Sequence, residues 1–298
     1  MSFLTLGSSE PRSADAQLIY EARMRPRYAV VAVLAAVFLM TGAILQLSGP
    51  HPKVQELTLD LITENKRIGL DLTAAGLNAL GWLTLAATIY FLFGAVRARN
   101  PKSQGFIGSI AIIGGVLASV AGIVDEVLIT TSAHKFATTG SQTYQQANHL
   151  TTGTAFATVP ILGLLGALMI AMALVLVSLA AMRAGLLTRF MGYLGIFAGA
   201  LVLFQITQVP IVQAYWLLAL AYLFWGRWPT GVPPAWRTGR AEKWPSSQEL
   251  REQRIRAAGQ RGRGKPSRAP QPVAAPAAPS PAPSGGQPAA KRKRKRRK

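Results

Sequence analysis

The sequence predicts an all-α integral membrane domain, a bundle of six transmembrane helices, followed by a disordered basic C-terminal tail. Three observations carry this reading. Half of the 298 residues are hydrophobic, and they fall in unbroken blocks of about 17–25, the length that crosses a ~30 Å hydrocarbon core as helix. The chain turns polar from about residue 229 onward, so the split between apolar body and polar tail is sharp. The formal charge is +20, from 32 basic against 12 acidic side chains, and Lys291, Arg292, Lys293, Arg294, Lys295, Arg296, Arg297 and Lys298 close the chain without interruption.

The expected organisation has four parts: a cytoplasmic N-terminal lead over 1–27, a six-helix transmembrane domain over 28–227, a juxtamembrane segment with a short helix over 228–259, and a disordered Pro/Ala-rich basic tail over 260–298. The lead is polar, with a short amphipathic stretch from Ala14 to Arg23. Span 1 covers about 28–47 and stops at Ser48-Gly49-Pro50. It starts too late and runs too long for a signal-peptide core, and no small-x-small site follows, so it is expected to be retained. Span 2 covers about 76–96 and leaves through Arg97, Arg99 and Asn100-Pro101. Spans 3 to 6 cover about 106–130, 157–182, 190–206 and 209–225. Each is apolar around its circumference, as lipid and helix neighbours require. The rival count is four, with the last two spans forming a re-entrant hairpin at Gln205–Pro210.

Lys and Arg in the connections set the orientation. Of the 32 basic residues, 28 fall on the side of the two termini, and the short connections alone divide nine against four. Both termini are therefore expected in the cytoplasm. The Ala/Arg/Gly-rich, Lys-poor body fits high-GC bacterial coding, which makes the expected location a bacterial plasma membrane.

Two outer segments are long enough for structure. Residues 52–72 place Val54, Leu57, Leu61, Ile68 and Leu72 on one helical face, and Lys53, Glu56, Asp60, Glu64, Arg67 and Asp71 on another. An interfacial helix or an extension of span 2 is expected, and a lid over a cavity is the alternative. Residues 131–156, rich in Thr, Ser, Gln and Gly, read as a solvated loop or short helix. Within the membrane, Gly114, Ala118 and Gly122 on span 3, and Gly192 with Gly195-x-x-x-Gly199 on span 5, point to close helix packing inside one subunit. The oligomeric state is not legible.

In the tail, Trp225 and Trp228 suit an interfacial aromatic belt. Ser246 to Glu249 form a capping box for a short helix ending near Ala258. Beyond it, residues 262–290 are too rich in Pro, Ala, Gly and Ser to bury a core.

No catalytic chemistry is visible. The absence of cysteine removes disulfides, thiolate nucleophiles and Cys-ligated metals. There is no phosphate-binding Gly loop, serine elbow or zinc-protease motif, and no cofactor or metal is expected. The best ligand or cation contact is Asp125-Glu126 in span 3. Asp125 lies roughly 28 Å along the helix from Phe106, near the outer interface, where the simple alternative is a helix end meeting water. His134 and His149 are further candidates for that contact; with His51 they fall on the outer side, but the spacing of the three supports no metal site. Asn78, Gln205, Gln208 and Gln213 read as interhelical hydrogen-bonding residues. No charge stands at the middle of a span, which argues against an ion-coupled carrier.

Two stretches carry a resemblance: residues 65–72 (NKRIGLDL) with the Arg97-Ala98-Arg99-Asn100-Pro101 exit of span 2, and residues 182–192 (MRAGLLTRFMG) opening span 5. They resemble a bacterial multi-span membrane family catalogued as domain of unknown function 4386, whose members often have Pro where Thr188 stands. The resemblance covers about 28–225 and implies a six-helix membrane fold with no assigned activity.

The leading expectation is a non-enzymatic membrane interaction or scaffold protein. Its partners would be the bilayer, and anionic phospholipid or ribosome and RNA through the tail. A lysine or arginine near an anionic leaflet contributes about 1 kcal/mol, and RNA contact would be strongly salt-dependent. The alternative is a transporter or small-molecule binder with an outward site near Asp125 and Glu126. It requires a polar cavity reaching the midplane between spans. An enzyme would require Asp125, Glu126 and a histidine to converge.

Overall fold

The computed structural model describes residues 14–50, 56–204, 209–229, 231–242, 251–252 and 255–256. Among these the regular elements are all α-helices: α1 (Ala14–Leu47), α2 (Leu57–Arg99), α3 (Phe106–Thr138), α4 (Tyr144–Thr151), α5 (Thr154–Arg183), α6 (Arg189–Phe204), α7 (Ile211–Phe224) and α8 (Ala235–Thr238). The chain divides into two units, Met1–Trp244 and Pro245–Lys298. In the second unit, residues 251–252 and 255–256 are helical, with Arg256 and Glu252 3.9 Å apart. The capping box and the basic run lie outside the described residues.

Four helices, α1, α2, α3 and α5, are long and apolar enough to cross a membrane. α6 and α7 have 16 and 14 residues, roughly 24 and 21 Å at 1.5 Å per residue, short of a full hydrocarbon core. The structure thus supports four crossing helices plus two shorter apolar ones. Gln205 and Gln208, between them in the sequence, lie outside the described residues.

Several boundaries shift. The amphipathic stretch of the lead is the first part of α1, which runs on through Pro26. Proline removes one backbone donor there, but packed helices tolerate the loss. Of the two forms expected for the outer segment before span 2, the extension is found: from Leu57 it is continuous with α2, 43 residues and roughly 64 Å long. Its inward face differs from the expected one. Arg67 and Asp71, assigned to the polar face, are buried, while Leu72 is exposed. α3 likewise passes residue 130 and ends at Thr138, so Asp125-Glu126 is not a helix end. α4 then fills part of the expected loop, with Thr143 Oγ1 capping the N–H of Gln146.

The glycines explain how closely the bundle packs. A Cβ at Gly115 would stand 2.5 Å from that of Ala86, and one at Gly166 2.5 Å from the backbone nitrogen of Ala118. α3 is thereby wedged against α2 and α5 at backbone distance. Gly199 meets Val175 and the Ala171 carbonyl on α5 in the same way, so the Gly195-x-x-x-Gly199 face packs within the chain. Thr188, where the resembled family often has Pro, accepts from Met191 N at 3.2 Å and caps α6.

The end of the bundle carrying Arg23, Arg25, Arg97, Arg99, Arg183 and Arg189 is its basic end. Residues 228–242 do not merely follow the bundle there. Trp236 is buried, its indole N–H donates to Leu186 O at 3.0 Å, and its ring packs against Phe91 and Phe224. The embedded unit therefore extends past the boundary expected at 227, and Trp236 belongs to its core. Of the expected aromatic belt, Trp225 is about half exposed and Trp228 packs partly against the core.

Candidate functional site

At the opposite, acidic end, Arg67 organises the site. The Asp71 carboxylate stands one turn after it on α2, and their 2.9 Å ion pair is buried. The same guanidinium donates to Gln46 O at 2.7 Å and to Pro50 O at 3.4 Å. These are carbonyls at and just past the C-terminal end of α1, where the helix leaves acceptors unfilled and favours a cation. One buried charge pair therefore joins the end of α1 to α2 and satisfies the orphaned backbone.

This junction borders two cavities. The larger, about 480 Å³, opens between α1, α2, α3, α5, α6 and α7. Its polar lining is Gln46, Asn78, Ser119, Asp125, Glu126 and Gln213, and Trp82 adds an aromatic ring. Among the described residues no Lys or Arg lines it. Ala118, on its inner part, lies 12 residues from the start of α3. That is roughly 18 Å of helix, or about half the span of a membrane. The smaller cavity, about 250 Å³, is lined by Gln46, Glu64, Arg67, Asp71, Glu126 and Ile129. Gln46 and Glu126 line both.

Local sequence explains how the cavity stays open and polar. Gly42 makes room for Asn78: a Cβ there would stand 2.5 Å from the Asn78 amide oxygen. A Cβ on Gly122 would meet nothing within 4 Å, so the missing side chain is itself cavity space. Ser119 Oγ donates to Gly115 O at 2.7 Å or Ala79 O at 2.9 Å, which fixes the α2–α3 wall. Gln213 is buried; its Nε2 donates to Ala198 O at 3.0 Å, and its Oε1 has no partner among the described residues. A buried amide oxygen without a donor costs about 1–3 kcal/mol. It is a ready acceptor for an occupant.

Of the residues expected at the site, Asp125 and Glu126 line the larger cavity and are half-buried. His134 and His149 are exposed and line neither cavity; His134 Nδ1 pairs with Asn65 Oδ1 at 3.3 Å. The acid–histidine convergence that an enzyme would need is therefore not formed by these two, and His51 lies outside the described residues. Sequence reasoning missed Glu64, Arg67 and Asp71. Their available signal was the Arg67–Asp71 spacing of four, which pairs charges on one helix face, together with Glu64 three residues before Arg67. One oxygen from each of Glu64, Asp71 and Glu126 lies within 4.8 Å of the others.

No family model, curated protein or solved structure matches this chain.

Proposed function

We propose that this chain is a multi-pass membrane protein that binds a small organic cation in the cavity between its helices, with the acidic end outward and the basic end in the cytoplasm. The observation that carries the reading is the lining of the 480 Å³ cavity: among the described residues it has two carboxylates, an indole and an unpartnered amide oxygen, with no basic side chain. Its volume suits a drug-sized molecule, and its mix of apolar wall and few polar groups is that of a binding pocket. An indole and two carboxylates lining one cavity favour a cation of low hydration, such as a quaternary ammonium. Residues 190–226 contain no charged side chain, which supports α6 and α7 as the fifth and sixth crossings. The excess of Lys and Arg at the basic end supports the orientation.

The probe is benzyltrimethylammonium, titrated calorimetrically into the full-length protein in lipid nanodiscs. Binding with Kd below about 1 mM is expected, with its neutral carbon isostere binding at least tenfold more weakly. Glu126→Gln should weaken the cation by about tenfold, or ~1.4 kcal/mol. No saturable binding, or equal binding of the isostere, would sink the reading.

The leading sequence expectation contributes a second role for the tail. Eight consecutive basic residues, Lys291–Lys298, favour adhesion to an anionic inner leaflet. Vesicles containing phosphatidylglycerol should retain a 245–298 peptide at low salt and release it by about 150 mM. Retention by ribosomes instead, at that salt, would assign the tail to RNA.

A further inference from the structure

Glu64 and Asp71 stand two turns apart on α2, and Glu126 faces them from α3. Their oxygens crowd within 4.8 Å in the smaller cavity, with Arg67 as the cation that lines it. If all three were ionised, three negative charges would meet one positive charge in a poorly solvated pocket, and like charges this close do not all ionise. Asp71 supplies the independent sign of a missing ligand. It is only 4% exposed and lines the smaller cavity; its Oδ1 accepts from Arg67, and its Oδ2 has no hydrogen-bond partner among the described residues.

Resting on the cavity reading above, we propose that this crowded trio holds one exchangeable proton, carried by Glu64, and that a cation entering the larger cavity displaces it. A protonated Glu64 can hydrogen-bond Asp71, which completes the orphaned carboxylate. Glu64 lies outside the apolar stretch 76–96, and burial, then the Asp71 carboxylate, push it up to about 7. The remaining charges around the trio are few. Asp60 stands one turn before Glu64 on α2, and Lys66 points to solvent. α3 adds Asp125 beside Glu126, and His134 paired to Asn65. α1 contributes the neutral Gln46 and backbone carbonyls, and His149 of α4 is exposed. His51 and Lys53 lie outside the described residues.

Glu126 makes the coupling, because it lines both cavities. A cation beside it lowers the proton affinity of the trio. By linkage, the proton lowers the affinity for the cation by the same factor. The exchange balances: the carboxylic O–H bond breaks, its electron pair stays on the carboxylate, the proton passes to water at the acidic end, and one positive charge replaces another.

The test uses the full chain in weakly buffered nanodiscs with a pH-indicating dye. Adding benzyltrimethylammonium near pH 7 should release a substantial fraction of one proton per cation bound. Its Kd should tighten about tenfold from about pH 6 to about pH 8. Glu64→Gln should abolish both the release and the pH dependence, leaving affinity at the value of the acidic limb. Cation binding without proton release and with a pH-independent Kd would overturn the inference while the cavity reading stands; no binding at either pH would sink both. Proton release by micromolar calcium chloride alone would make the trio a metal site and overturn the proton assignment.

Discussion

Gly122→Leu is expected to lower the affinity for benzyltrimethylammonium by tenfold or more, about 1.4 kcal/mol, without lowering the melting temperature. The two halves of this result come from the same geometry. A Cβ at Gly122 meets no atom within 4 Å, so the new side chain enters without displacing a neighbour. Gly122 lines the cavity together with Gln46, Asp125 and Glu126, so the space the side chain takes is taken from the cavity. Replacing a mid-helix glycine also lifts helix propensity, by about 0.8–1 kcal/mol relative to glycine for the best helix formers. Stability should therefore hold or rise while the site closes. Gly115→Leu is the control, because there a Cβ would already stand 2.5 Å from the Ala86 Cβ. It should lose both folding and binding. A Gly122→Leu protein that melts normally and still binds the probe as tightly as the parent would show that the ligand does not occupy this cavity.

The contrast between these two glycines shows what a sequence makes legible. Long apolar blocks are local, and the helices they predict for α1, α2, α3 and α5 are present. Small residues spaced by four on α3 were readable as a packing stripe. The sequence does not say where that stripe stops touching a neighbour and starts facing a void, which is the difference between Gly114 and Gly122. The site was half legible. Asp125-Glu126 stood out because acids are costly in an apolar helix. Arg67 and Asp71 did not, because a 3.6-residue wheel sorts charged residues outward. Their burial depends on the carbonyls of Gln46 and Pro50, and those are brought into reach only by the turn between α1 and α2. The same limit hid Glu21 and Arg99, which are 78 positions apart in the chain. Both looked like ordinary charges flanking membrane helices.

That second pair carries the larger stability effect. Arg99→Met is expected to destabilise the embedded unit by about 3–5 kcal/mol, the usual cost of stranding one partner of a buried ion pair. The Arg99 side chain is 0% exposed and that of Glu21 is 2%. Two parallel bonds of 2.7 and 2.6 Å join the guanidinium to both carboxylate oxygens. Its other N–H groups donate to Ala95 O at 2.9 Å and to Ala235 O at 3.0 and 2.8 Å, so the donor set of the fork is filled. Trp236 lies against the cation at 5.1 Å, with Arg25 at 5.2 Å from the same ring. One side chain therefore joins α1, α2 and the 228–242 segment. Glu21→Met should cost a comparable amount, since it strands Arg99. The double variant should recover part of the loss, because neither charge is then left buried alone. It should not recover all of it, because Ala235 O still loses two donors and Trp236 loses one of its cations. Thermal melts followed by tryptophan fluorescence in one detergent measure all four proteins. Additive losses in the double variant would mean that the two side chains act independently and that the buried pair is not what holds this end together.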